Sequence, residues 1–313
     1  MIIDKPGIFF DFPEADYFAD PCPSPSLSQS LAKVLLDQTE LHAMNEHPRL
    51  APPDDDEAEE KYVKAQAIGN AAHAIMIGRG KTMAVSDLDT WTGDRKREFR
   101  DAAEAEGKTP ILRKHFEVAV RMVAAARAQL DAITEPAAAD AFVKGHGEVV
   151  IAAEVDGVWL RSLVDWMVNP RVLVDFKTTA MSVAPHVVPK LMGDAGWPIQ
   201  AAMQERILDL VDPEGAGRRK FYFIAQENYR PFALTMHELP EATMTMGRKM
   251  IARAELLWRD AMLTNHFPGY APVIHRPEYP AWQESQWLNR EIADAAHERV
   301  PVAKFNPSVL RAG

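Results

Sequence analysis

The sequence predicts a mixed α/β fold: a central sheet flanked by helices, with a helical N-terminal elaboration. Three features of the chain predict it. The residues up to about 140 are patterned as helices, three β-branched apolar runs follow one another from residue 146, and the rest returns to helices broken by two further strands. At 313 residues with 47% apolar side chains, the chain is long enough for a substantial core, in one elaborated domain or two small ones.

Taken in order, residues 1–25 hold Pro6, Pro13, Pro21, Pro23 and Pro25 and read as an irregular arm. Ser26 or Ser28 is placed to cap a first helix, LSQSLAKVLLDQ. A Pro- and Asp-rich loop, HPRLAPPDDDEAEE, leads to a helix over 58–78 whose Ala65, Gly69, Ala72 and Ala74 permit close packing. DRKREFRDAAEAEG and RKHFEVAVRMVAAARAQLDAI form two more helices around a Gly107–Pro110 loop. GEVVIAAEVDGVWLRSLVDWMVNPRVLVDFKTT reads as three strands turning at Asp156-Gly157 and Asn169-Pro170. Two helical stretches come next, the second with Pro198 in its first turn and an apolar face through Ile199, Met203, Ile207 and Leu210. KFYFIAQ and PFALTMHEL are strands, and a long helix near 240–264 and a short C-terminal one complete the pattern. The expected division is an arm over 1–25, a single domain over 26–300 (mainly helical to 140, sheet and flanking helices from 141) and a tail over 301–313.

Composition narrows the function. No apolar run of roughly 18 residues predicts a membrane helix, and the N-terminus lacks the pattern of a signal peptide, so a cytoplasmic protein without a membrane partner is expected. The single cysteine, Cys22, excludes an internal disulfide framework and any all-cysteine zinc or iron–sulfur site. The histidines show no zinc-like spacing. The net charge of −10 opposes broad nucleic-acid binding, though a locally basic groove would suffice. Arg95-Lys96-Arg97 with Arg100, Arg113-Lys114 and Arg218-Arg219-Lys220 are basic clusters, each of which also reads as an ordinary solvated face.

The chemistry concentrates in SLVDWMVNPRVLVDFKTT. Asp165 ends one apolar strand, and Asp175 and Lys177 share a face of the next because side chains two apart in a strand point the same way. The intervening turn folds the strands together and brings Asp165 and Asp175 within reach of one ion. Two carboxylates with open positions suit Mg²⁺ or Mn²⁺, which neutralises phosphate charge and acidifies a bound water. The Lys177 ammonium would orient that water and offset developing charge. Val172, Leu173, Val174 and Phe176 predict a buried strand, where an Asp and a Lys need partners. The alternative is a buried Asp175–Lys177 ion pair with a purely structural role.

Asp165, then Asp175 in Asp-x-Lys, resembles the signature of the PDDEXK nucleases, with Asp175 where many members have Glu. From about residue 26 to 290 the pattern resembles the RecE-type exonuclease VIII group of phage and prophage recombination nucleases. IGNAAHAIMIG looks like that group's helix with a metal-binding histidine, here His73; GHGEVVI puts Glu148 at its acidic position on the first core strand; WPIQAAMQ puts Gln200 at its glutamine. LWRDAMLTNHFPGYAP and PAWQ resemble its Trp/Pro-rich tail. Where the group has Tyr four residues after the glutamine, this chain has Gln204.

The resemblance implies a PDDEXK core and a Mg²⁺- or Mn²⁺-dependent 5′–3′ exonuclease acting on double-stranded DNA ends. It would leave a 3′ strand for a single-strand annealing protein, as a homo-oligomer in a bacterial host or phage-infected cell. His73, Asp165 and Asp175 would hold metal, Lys177 would orient water, Gln200 would place Lys177 or DNA, and Glu148 would complete the catalytic set. Alternatives are an endonuclease of the same fold and an inactive DNA-holding module. Taken singly, His73 also reads as a core histidine, Glu148 as a strand-edge carboxylate, Gln200 as a surface residue and Glu227 as a turn residue, while Thr178 and Thr179 could bond a DNA phosphate.

Overall fold

The computed structural model describes residues 1–52, 64–80, 82–91 and 93–297. The 301–313 tail, the end of the acidic loop and the first residues of the expected 58–78 helix lie outside the described residues, as do the side chains of Arg95 and Lys96. In chain order the elements are β1 (Gly7–Phe9), α1 (Glu14–Phe18), β2 (Leu27–Ser28), α2 (Gln29–Asp37), α3 (Glu40–Glu46), α4 (Lys64–Ile77), β3 (Met83–Ser86), α5 (Asp94–Ala105), β4 (Thr109–Leu112), α6 (Arg113–Leu130), α7 (Pro136–Asp140), β5 (His146–Val155), β6 (Val158–Asn169), β7 (Val172–Thr179), α8 (Val188–Ala195), α9 (Trp197–Val211), β8 (Lys220–Glu227), β9 (Leu234–Glu238), α10 (Glu241–Thr264) and α11 (Ala281–His297).

The chain divides into two compact units, residues 1–270 and 271–313. The first holds a seven-stranded sheet in the order β1-β5-β6-β7-β8-β9, with β2 beside β6. β7 and β8 run parallel, as do β2 and β6, and the other pairs are antiparallel. This is the expected mixed sheet flanked by helices. One layer packs α2, α9 and α10 on Val149, Ile151, Leu160, Leu173 and Phe223. The other packs α4 and α6 on Trp166, Val174, Phe176, Tyr222 and Ile224. In the second unit, α11 carries exposed Trp282, Trp287 and Ile292.

The N-terminal segment departs from the irregular arm expected of its prolines. Gly7–Phe9 pairs antiparallel with Val150–Ala152, extending the sheet, and Ile3, Phe12, Tyr17 and Cys22 close a small core over Val150, Ala152 and Trp159. Pro6 and Pro13 flank the strand rather than interrupt it, so no ladder N–H is lost within it. Ser28, not Ser26, caps α2, accepting from the Leu31 amide. A separate two-stranded parallel sheet, β3 with β4, brackets α5. Arg219 belongs to neither a solvated face nor a groove: its buried guanidinium donates to the carbonyls of Pro170, Leu208 and Asp212 and pairs with Asp209.

Candidate active site

The site forms where β6 and β7 part. The antiparallel register runs Trp166↔Val174 and stops there toward Asp165. The strand partner is replaced by a side chain: the Phe176 amide donates to Asp165 Oδ2 at 3.0 Å. Asp165 therefore sits within β6 rather than at its end, at the point where the ladder opens. On its other side, the β5–β6 register pairs Val149 with Val164 and Gly147 with Trp166, which sets Glu148 opposite Asp165. Glu148 has φ +53°, a left-handed backbone uncommon for a residue with a side chain. Strain of this kind persists where the surrounding structure holds it.

Two layers deliver the side chains. α4 supplies His73, whose Nε2 lies 3.0 Å from Asp165 Oδ2. α9 supplies Gln200, whose buried side-chain amide donates to Asp175 Oδ2. Lys177 Nζ lies 2.7 Å from Asp175 Oδ1. The Lys177 ammonium is thus the partner of this otherwise unpaired buried oxygen. All six residues expected from the sequence, His73, Glu148, Asp165, Asp175, Lys177 and Gln200, lie around this opening. The Asp165 charge bears directly on Asp175. Asp165 is engaged from the α4 layer and Asp175 from the α9 layer, and no three His, Cys, Asp or Glu side chains close on one point among the described residues.

The electrostatics follow from the burial. Burial raises the Asp165 carboxyl, but the charge and hydrogen bond of His73, the Lys177 ammonium and the Phe176 N–H bring it down to about 2. Burial lowers His73, yet the Asp165 charge and hydrogen bond raise it to about 9. Asp175 is raised, first by burial and then by the Asp165 charge, against the pull of Lys177 and Gln200. Lys177 is raised because the two aspartates outweigh its own burial. Glu148 is raised by burial and by Glu14. Two carboxylates and an imidazole, Asp165, Asp175 and His73, with Glu148 opposite Asp165 on β5, are a donor set suited to a divalent cation. His73, Asp165 and Asp175 are the residues that would hold it.

Two clefts adjoin His73. The larger, of 770 Å³, is bounded by Gln66, Asn70, His73, Arg79, Glu148 and Phe18, among others. The smaller, of 580 Å³, runs past Gly69, Asn70, Lys177, Thr178, Thr179 and Asn228. Gln66, Asn70 and His73 recur on one face of α4 at i, i+4 and i+7 and border both. Sequence reasoning missed Gln66 and Asn70, though that spacing was visible beside His73. It also missed Glu14, Phe18 and Arg79, which no local pattern marks.

Other expectations resolve locally. Gln204 points into the core, its amide 3.3 Å from Ser162 Oγ, so it offers no surface to a ligand. Glu227 is not a turn residue but the buried last residue of β8, accepting from the Val183 amide at 3.1 Å. Thr178 and Thr179 line the smaller cleft.

A sheet that opens at an Asp, with Asp-x-Lys on the next strand and a glutamine-bearing helix behind it, defines the PDDEXK nuclease fold. The chain belongs to a family of that class: residues 28–274 match the PDDEXK-like domain of unknown function DUF3799. No curated protein matches it. Among solved structures it is similar to a crystal structure of a "Putative exonuclease" from Eubacterium rectale, with a TM-score of 0.53 and 11% identity over 87% of this chain and 97% of that one. That likeness concerns the fold. PDDEXK nucleases generally use divalent metal ions.

Proposed function

We propose that this protein is a Mg²⁺- or Mn²⁺-dependent deoxyribonuclease that hydrolyses DNA phosphodiester bonds, acting as a 5′–3′ exonuclease on duplex ends. The observation that carries the reading is the grouping of Asp165, Asp175 and Lys177 at the opening between β6 and β7, with His73 and Gln200 against the two carboxylates. Family membership supports the nuclease, and the RecE-type pattern supports end-directed polarity. The name of the E. rectale structure agrees with an exonuclease.

The cation would supply charge for the phosphate and acidify a water. The chain's own residues do the positioning. The Phe176 N–H and His73 hold the Asp165 carboxylate, and the Gln200 amide holds that of Asp175. The Lys177 ammonium, charged through neutral pH, stands beside Asp175 at the edge of the smaller cleft. There it orients the attacking water and offsets negative charge as the phosphorus–oxygen bond to the leaving group breaks. Partners on this reading are double-stranded DNA ends and a single-strand annealing protein, with the chain assembled as a homo-oligomer in the cytoplasm.

Digestion of end-labelled linear and covalently closed circular duplex with Mg²⁺ tests this. Loss of label from linear DNA, with the circle intact, is the expected result. Cutting of the circle would make the protein an endonuclease of the same fold. No cleavage by the wild type, with Mn²⁺ binding undetectable by calorimetry, would leave only a DNA-holding role.

A further inference from the structure

Phe18 is 55% exposed and borders the larger cleft with His73 and Glu148. Glu14, one helical turn earlier on α1, borders the same cleft. The surrounding walls are mixed: Met83 and Leu163 are apolar, Gln66 and Asn70 on α4 are polar, and Arg79 and Lys108 are paired with acidic neighbours. An aromatic ring bared in such a cleft, beside a site shaped for a phosphodiester, calls for a flat apolar partner.

The segment that presents Phe18 is fixed by a buried ionic lock that the catalytic chemistry does not use. The neighbouring Tyr17 is 4% exposed, and its ring meets that of Phe18 edge-on at 5.3 Å. The Arg161 guanidinium lies over the Tyr17 ring at 4.8 Å. Arg161 Nε donates to Ser26 Oγ at 2.8 Å and to Asp20 Oδ1 at 3.2 Å. The fully buried Asp20 also receives the Ser26 amide and hydroxyl, and faces Arg49 and His47. Buried charges are costly unless every one is paired, as here. The consequence is a short helix held to the sheet so that Phe18 is presented in a fixed place.

Resting on the nuclease reading, we propose that Phe18 is a base-stacking platform that holds an unpaired nucleobase next to the scissile phosphate, so that the strand enters the larger cleft single-stranded. Every base has a π-face, so stacking of this kind tolerates any sequence. Bases inside a duplex have both faces covered and cannot use it. Only the outermost pair of an intact duplex leaves a face bare, so on this proposal the bases behind it are melted or already unpaired when they reach His73 and Asp165.

The test uses single-stranded oligonucleotides carrying one 2-aminopurine, bound to the full chain in a Lys177→Ala background, and cleavage of the same strands by chains with Lys177 intact. Phe18 should quench the probe at one position beside the scissile bond. Phe18→Ala should lose the quench and raise KM about 10-fold with kcat within about twofold, a shift within the range of one stacked base. Phe18→Trp should restore both. An abasic nucleotide at that position should cost the wild type the same factor and cost Phe18→Ala nothing more. Independent, multiplying losses, or a quench that survives Phe18→Ala, overturn the proposal. A wild type that cleaves no DNA removes the nuclease reading, while the quench decides base stacking on its own. Absence of any oligonucleotide binding overturns both.

Discussion

At the scale of single residues, the site is a set of buried charges held in balance by one another. Asp175 lies next to Asp165, and both are largely withdrawn from water. Asp175→Ala is expected to abolish cleavage. Metal-free stability should hold or rise, since a repelling carboxylate is removed, though the loss of a partner for Lys177 opposes this. Turnover near the wild-type level in the purified variant would place the chemistry elsewhere. Lys177→Ala should keep Mn²⁺ affinity within a few-fold and lose most activity, and a parallel loss of both would make Lys177 a counter-ion only. His73 behaves differently in the structure from an isolated metal ligand. Its pKa stands at about 9 in the folded chain against 6.5 for the free group. A raised base stabilises the fold fully below 6.5 and loses that contribution as pH climbs to about 9. The Asp165 side of the pair is lost only in acid, between 3.8 and about 2. The metal-free melting temperature should therefore fall between pH 6.5 and 9 more in the wild type than in His73→Gln. A ligating imidazole must be neutral, so Mn²⁺ affinity should climb over the same window in the wild type and flatten in the variant. Identical pH profiles for the two proteins would remove the His73–Asp165 pair as their cause.

At the scale of elements, two glycines set how closely the helices approach the sheet and one another. On α10, a Cβ at Gly247 would lie 2.2 Å from the Pro198 carbonyl oxygen and 3.0 Å from Ala202 Cβ, at the first turns of the helix that carries Gln200. Backbone cannot swing aside, so Gly247→Ala should cost about 1–3 kcal/mol in denaturant unfolding, despite the better helix propensity of Ala. On α4, a Cβ at Gly69 would meet Thr178 Oγ1 at 2.6 Å. A hydroxyl can rotate, and Ala gains about 1 kcal/mol of helix propensity over Gly. Gly69→Ala should therefore leave stability nearly unchanged while activity drops, because α4 carries His73. Equal loss of stability in both variants would show that α4 packs no more loosely than α10. The sequence made the larger elements legible because β5, β6, β7, α6, α9 and α10 are long enough for a period to show. β1 to β4, of two to four residues each, carry no period and were hidden among prolines and loop residues. Asp165, Asp175 and Lys177 were legible from spacing, and His73, Glu148 and Gln200 only through family pattern. What spacing could not reveal is the parting of β6 from β7, which turns Asp165 toward α4 and leaves Asp175 to α9. Phe18 and Glu14 were hidden for a different reason: they reach the cleft through the tertiary lock on Asp20 and Arg161.

At the scale of the whole molecule, the question is how a chain of net charge −10 binds a polyanion. Among the described side chains, the basic clusters visible in the sequence do not supply a broad positive face. Arg219 is buried in a loop clamp, Arg113 pairs with Asp87, and Lys114 donates to the Asp89 carbonyl. Around the two clefts the positive side chains include Lys177, Arg79, Arg100 and Lys108, and the last three are paired with Asp11, Glu104 and Glu106. Each exchange of an acidic partner for a DNA phosphate gains little at moderate salt, because the carboxylate must be freed as the phosphate is bound. Affinity should then come from the cation and from contacts near the scissile bond rather than from a long basic track. Each phosphate neutralised on duplex DNA contributes about −0.9 to the slope of log K against log salt, and about −0.7 on a single strand. Four contacts give a slope of about −3 to −4. Binding of a short duplex with a frayed end, titrated from low to moderate KCl at constant Mn²⁺ with the Lys177→Ala chain, should be correspondingly shallow, and slightly shallower still because one cation is absent. A slope steeper than about −6 would require many more phosphate contacts than these clefts hold, and would place the DNA path on a surface made by several copies of the chain.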